Sequence, residues 1–133
     1  MKRELKDRYT MEELLEIVAD LRGEDGCPWD RVQTFESTKK CLSDETQEVL
    51  EAVDKGDMEN LCEELGDVLM QVLMYSRIAE EQGLFSFGDV VTGIARKLVR
   101  RHPHVFGDER VSTPEEALNA WKAVKAREKA GLI

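Results

Sequence analysis

A glycine with four acidic residues at mirrored distances restricts this chain more than any other feature. Gly56 separates two stretches of helical spacing, and Glu45 and Asp67 stand eleven residues to either side of it. Glu48 and Glu64 stand eight residues to either side. A glycine that turns one helix back against the next sets Glu48 level with Glu64 and Glu45 level with Asp67. Glu45 with Glu48, and Glu64 with Asp67, are each spaced i, i+3, so each pair projects from one side of its helix. Four carboxylates at that range repel one another. A hard divalent cation bound by oxygen is the simplest group that holds them together.

Reflection through Gly56 sets Glu51 on Leu61, Glu63 on Val49 and Asp44 on Val68, so the four named acids are the ones that match as two pairs. With 28 Asp and Glu in the chain, acidic i, i+3 pairs also arise from composition alone, as Glu48 and Glu51 do. A merely solvated acidic helix face therefore stands beside the metal reading. If a metal is bound, carboxylates without neighbouring His or Cys favour Mg²⁺, with Mn²⁺ as a substitute, over zinc or copper. Neither His102 nor His104 completes the Glu-x-x-His motif of a di-iron bundle. Mg²⁺ usually combines a few carboxylates with water and substrate phosphates, so a nucleotide or other polyphosphate is the natural ligand. Gln71 continues the stripe of Glu64 and Asp67, which suggests a polar cleft along that helix.

Helix signals dominate the rest. Thr10 with Glu13 forms a capping box ahead of Leu14, Leu15, Val18 and Leu21, and Gly23 ends that helix. Gly26 and Pro28 mark Glu24 to Asp30 as a loop, in which Trp29 reads first as a packing anchor, with stacking on a base as the alternative. A short helix is expected after Thr34, and a longer one from about Ser43 to Lys55 with Val49, Leu50 and Val53 facing inward. Asp57 caps the next, which runs to Gln82 before Gly83. Leu61, Leu65, Val68, Leu69, Val72, Leu73 and Ile78, with Met70 and Met74 behind them, make it apolar on nearly all sides. Such a helix needs cover on all sides, so a homo-oligomer, dimer or tetramer, is expected. Ser86 with Asp89 opens a further helix that ends near Arg101 before Pro103, and His102 and His104 fall in a loop around that proline. Thr113, Pro114 and Glu116 start the last helix, which runs to about Lys129. No segment reads as a strand. The expected fold is all-α, a helical bundle built around the hairpin at Gly56.

At 133 residues the chain has room for one domain, residues 1–133, with a real core. A net charge of -9 argues against a nucleic-acid polymer as partner. The opening MKRELKDRYT lacks the apolar core of a signal peptide. The strongest apolar run, Val68 to Tyr75, is interrupted by Gln71 and too short to span a bilayer, so no membrane partner is expected. Cys27, Cys41 and Cys62 lack C-x-x-C spacing and suit reduced thiols. A cytoplasmic location is expected.

Lys97 and Arg101 are spaced i, i+4, and Trp121 and Lys125 repeat that spacing on the last helix. Singly, each has an ordinary structural account: Arg100 and Arg101 suit the end of a helix dipole, and Trp121 suits a core. Together, beside a metal, they are what a triphosphate requires, cations for its phosphate oxygens.

The segments GCPWDRVQTF (Gly26 to Phe35), DETQEVLEAV (Asp44 to Val53), EELGDVLMQV (Glu63 to Val72), KLVRRHPHVFGD (Lys97 to Asp108) and WKAVK (Trp121 to Lys125) resemble, in order, the MazG family of nucleotide pyrophosphohydrolases. The resemblance covers nearly the whole chain. It implies an all-α bundle that hydrolyses nucleoside triphosphates to the monophosphate and pyrophosphate, as in clearing the nucleotide pool. The family's E-x-x-E and E-x-x-D metal motif, also its catalytic set, falls on Glu45, Glu48, Glu64 and Asp67. Its substrate contacts fall on Lys97, Arg101, Trp121 and Lys125. Longer family members carry two such domains in tandem and this sequence has one. Two rivals remain: a non-catalytic helical module that oligomerises and binds a partner, and a related all-α hydrolase of narrower substrate, such as dUTP, dCTP or phosphoribosyl-ATP. The CPWD and RRHPHVF segments favour MazG over the second.

Overall fold

A computed structural model describes residues 3–133, so the first two residues of the opening MKRELKDRYT lie outside the described residues. Among the described residues every regular element is a helix. They are α1 (Met11–Leu21), α2 (Pro28–Arg31), α3 (Phe35–Lys55), α4 (Met58–Glu81), α5 (Phe87–Arg101), α6 (Pro103–Phe106) and α7 (Pro114–Lys129). The chain forms two compact units, Met1–Phe87 and Gly88–Ile133.

Local chemistry sets the helix starts. Thr10 accepts from the Glu13 amide at 3.2 Å while Glu13 returns a bond to the Thr10 amide at 3.0 Å, a complete capping box for α1. Thr34 and Ser37 do the same for α3, and Asp57 accepts from the Asn60 amide to start α4. Gly56 closes α3 at φ 66°, a left-handed conformation that a side chain would resist. At α7 the box is displaced by one residue: Thr113 accepts from the Glu116 amide, but the Glu116 carboxylate accepts from Ser112.

In the first unit α3 and α4 form an antiparallel hairpin, and α1 packs on α4. Thr38, Cys41, Glu45, Val49 and Ala52 recur at intervals of three and four and are all buried or half-buried, as are Phe35 and Leu42. They face a matching stripe of α4 through Leu61, Glu64, Val68 and Tyr75. The far end of the seam is tied by the Tyr75 hydroxyl, which donates to the Phe35 carbonyl at 3.2 Å. The core is completed by Val18 of α1 and by Leu73, Met74, Ile78 and Ala79 of α4.

Several expectations are corrected. The short helix after Thr34 and the longer one from Ser43 are a single helix: no Gly or Pro interrupts the span, and Thr38 and Thr46 return their hydroxyls to carbonyls of their own helix. The expected Glu24–Asp30 loop holds to Cys27 and gives way to α2 from Pro28, which sits at the first turn, where a missing amide costs nothing. Leu50 and Val53 do not face inward; each is 53% exposed, and the close approach to α4 is made by Ala52. Trp29 is not a packing anchor, being 67% exposed. His102 and His104 do not lie in a loop: His102 precedes α6 with Nδ1 2.6 Å from the Leu98 carbonyl, and His104 lies within it.

As expected, α4 leaves apolar surface uncovered near its start, where Met58 is 60% and Leu65 52% exposed, whereas toward its C-terminal end it is well buried. α5 also lacks cover: all residues from 91 to 100 are exposed, among them Val91, Ile94 and Leu98 on one face. Among the described residues no helix is long and apolar enough to cross a membrane.

Candidate functional site

The hairpin gathers Glu45, Glu48, Glu64 and Asp67. Each offers a carboxylate oxygen, and those four oxygens lie within 4.8 Å of one another. The α3–α4 seam explains the arrangement. Glu45 and Glu64 occupy positions in the inward stripes of their helices, whereas Glu48 and Asp67, one turn further along each helix, stand at the exposed edge. The group therefore has two acids set into protein and two facing water.

The inner pair is poorly served by the protein. Oε2 of Glu45 and Oε2 of Glu64 are both buried without a hydrogen-bond partner. A buried oxygen in that state loses its hydration without replacement. The cost appears in the acidities. A hydrogen bond with Glu48 does most to raise the Glu64 carboxyl, and loss of water and the charges of Glu48, Asp67 and Glu45 add to it, taking it to about 7. Burial raises Glu45, followed by its bond to Glu48 and the charges of Glu48 and Asp67. Without a counter-ion, Glu45 and Glu64 hold their protons more tightly than lone carboxylates would. Hard oxygen donors, a tight spacing and two orphaned oxygens fit a divalent cation.

The second unit gathers cations around an aromatic face. The Arg101 guanidinium lies 5.6 Å from the centroid of the Trp121 ring, and the Lys125 ammonium 5.0 Å from it. Trp121 is half-buried, next along its stripe to the buried Val124. Lys97, one turn before Arg101 on α5, is exposed. Of the four basic and aromatic residues expected to act together, three meet in one cluster.

Sequence reasoning missed Glu128, which draws Arg100 and Arg101 onto one carboxylate. Both arginines stand in the last turn of α5, as the helix-dipole account requires, and Glu128 adds an ion pair to it. Its signal was present: Glu128 is i+7 from Trp121 and i+3 from Lys125. Arg22 was also missed. It reaches Glu81 through two nitrogens at 2.8 Å and donates to the Asp30 and Gln33 carbonyls, tying α1, the α2 segment and the end of α4 together.

Residues 33–106 match the family described as the MazG nucleotide pyrophosphohydrolase domain. The matched span contains the four carboxylates, Lys97 and Arg101, and stops short of Trp121 and Lys125. The "nucleoside triphosphate pyrophosphohydrolase/pyrophosphatase MazG" of Thermotoga maritima is 47% identical over 118 residues, which cover 89% of this chain and 45% of that protein. The "nucleoside triphosphate pyrophosphohydrolase" of Escherichia coli K12 is 44% identical over 121 residues, 90% of this chain and 46% of that protein. The chain thus spans less than half the length of these two curated relatives. A crystal structure of a MazG-related protein from Thermotoga maritima superposes with a TM-score of 0.72 at 35% identity, covering 87% of this chain and 99% of that one.

Proposed function

Since the chain belongs to the MazG nucleotide pyrophosphohydrolase family, we propose that it hydrolyses nucleoside triphosphates, ribo- or deoxyribo-, between the α- and β-phosphates, releasing the monophosphate and pyrophosphate. The observation that carries this reading is the carboxylate quartet, with its two buried and unpartnered oxygens. Glu45, Glu48, Glu64 and Asp67 would hold a divalent cation, Mg²⁺ or its substitute Mn²⁺. Such an ion supplies charge neutralisation for phosphate oxygens and lowers the pKa of water. A carboxylate of the quartet takes the proton of the attacking water, a role suited to groups whose acidity is shifted toward neutrality. Lys97, Arg101 and Lys125 offset the charge of the phosphate oxygens and of the leaving pyrophosphate, beside the face of Trp121.

Residues 1–133 act as one domain in this reading, and the chain works as a homodimer or homotetramer. The support for oligomerisation is α5, whose apolar face lies in water. A housekeeping role in the nucleotide pool follows from the activity. The test is incubation with a panel of nucleoside triphosphates and Mg²⁺, with product identification. Monophosphate and pyrophosphate in equal amounts are expected. Inorganic phosphate as the product would move the cleavage to another bond. Absence of products across the panel would leave a non-catalytic helical module.

A further inference from the structure

Arg100 and Arg101 are consecutive on α5, so their side chains leave the helix about 100° apart. They nevertheless converge on one group. Arg100 donates from Nε to the Glu128 carboxylate, and Arg101 reaches the same carboxylate from Nε at 3.2 Å and from Nη2 at 2.9 Å. Glu128 lies on the stripe of α7 that contains Trp121 and Val124, with its side chain 16% exposed. The same Arg101 guanidinium also lies near the Trp121 ring, which Lys125 approaches as well. Three cations thus meet around one ring and one anion.

We propose that Glu128 is a positioning residue for triphosphate binding, holding the Arg101 guanidinium beside Trp121 so that Nη1, the nitrogen Glu128 does not engage, is presented to a phosphate oxygen. The proposal rests on the reading that Arg101 contacts the substrate's phosphates. Three observations support it. A cation that must meet an anion is most effective when its rotamer is already fixed. The carboxylate offsets the repulsion among Arg100, Arg101 and Lys125 that would otherwise spread them. Arg101 first, and then Arg100, pull the Glu128 carboxyl down to about 2, so it stays ionised at neutral pH. The group keeps a net positive charge after the pairing, as an anion site requires.

The test compares the full-length wild type with R101Q, E128Q, E128D and the charge swap R101E/E128R. Each is measured for Mg²⁺-dependent turnover and for binding of a non-hydrolysable nucleoside triphosphate analogue. E128Q is expected to raise KM and the analogue's Kd about tenfold, the loss of one charge-assisted contact. Its kcat should stay within about twofold, because the residue touches no reacting atom. E128D should recover part of the affinity. The swap should restore the thermal midpoint lost in E128Q without restoring affinity, which separates positioning from simple cross-linking of α5 to α7. Unchanged or tighter binding in E128Q, alongside weak binding in R101Q, would overturn the proposal and leave the reading of Arg101 intact. Unchanged binding in R101Q would overturn both. Recovery of affinity in the swap, which has no arginine at position 101, would overturn both the proposal and the reading of Arg101.

Discussion

Glu45 and Glu64 sit on opposite helices of one seam, and each buries an Oε2 that no donor meets. The pKa of each is raised, that of Glu64 to about 7 from an ordinary 4.5. The sign of the consequence follows. A carboxyl whose pKa is higher in the folded state binds a proton more tightly there than in the unfolded chain. Its contribution to stability is fully present below the unfolded value and is lost as pH rises through the folded one. In chelator the thermal midpoint should therefore fall between 4.5 and about 7 on account of this pair. Mg²⁺ should reverse that fall, stabilising the protein most at the alkaline end and releasing protons as it binds. Scanning calorimetry at several pH values with and without the ion checks this. An ion effect of equal size at both ends of the range would contradict it.

The same geometry separates the stability and activity effects of single substitutions. Glu64→Gln removes one of four mutually repelling acids, so in chelator at neutral pH its melting temperature should rise above that of the wild type. Glu48→Gln should leave the helical circular dichroism unchanged, because Glu48 stands at the exposed edge. Both variants should lose Mg²⁺-dependent turnover by at least the roughly 10–100-fold that follows removal of an outer partner of a metal site. Full turnover in Glu48→Gln would exclude that residue from the reaction.

The quartet was legible before any coordinates because its parts are local. A left-handed glycine and two i, i+3 pairs suffice to bring Glu45, Glu48, Glu64 and Asp67 together, and no long-range packing has to be guessed. Helix starts were legible for the same reason, as Thr10, Thr34, Asp57 and Thr113 each bond within their own first turn. What failed depended on relations between elements. Leu50 and Val53 have helical spacing with Val49, yet the seam runs through Val49 and Ala52, and nothing in the pattern says which side of an apolar arc meets the next helix. Trp29 reads as a packing anchor, but a loop position carries no periodicity to show which way its side chain points, and it is exposed. Glu128 was overlooked because its partners lie 27 and 28 residues away along the chain.

The exposed face of α5 predicts a defined assembly defect. Val91, Ile94 and Leu98 recur at helical spacing, each close to half exposed. An apolar side chain moved from water into an interface contributes about 1.5–3 kcal/mol when fully buried. An aspartate at position 94 would remove that gain and place a charge in the interface. Ile94→Asp should therefore shift the protein toward monomer in sedimentation velocity at micromolar concentration. A wild type that sediments as a monomer, or an Ile94→Asp variant with an unchanged oligomeric state, would show that this face has another use.

Arg22 offers a test of what holds the first unit together. Its side chain is only 7% exposed, and its bonds reach Glu81 on α4 and the carbonyls of Asp30 and Gln33 at either end of the α2 segment's close. Removing Arg22 leaves Glu81 with only the longer contact to Arg77, 3.7 Å away, and leaves the two carbonyls without their donor. Arg22→Ala should cost about 3 kcal/mol, the low end for a buried pair, since Glu81 keeps some contact with water. For a chain of this size that corresponds to a fall of roughly 10 °C in Tm. The Glu81 carboxyl, held below its usual range by the hydrogen bond from Arg22, should return toward it in the variant. Glu81 contributes stability above the ordinary carboxylate value, and that part is lost as pH falls through its lowered one, so the gap between wild type and Arg22→Ala should narrow in acid. The double variant Arg22→Met/Glu81→Gln should lose less than Arg22→Ala, because it leaves no charge stranded and keeps a packed side chain beside Met74. Chemical denaturation of the three proteins at neutral and acid pH measures both differences, and an equal loss in the single and double variants would assign the effect to the carbonyl contacts instead of the ion pair.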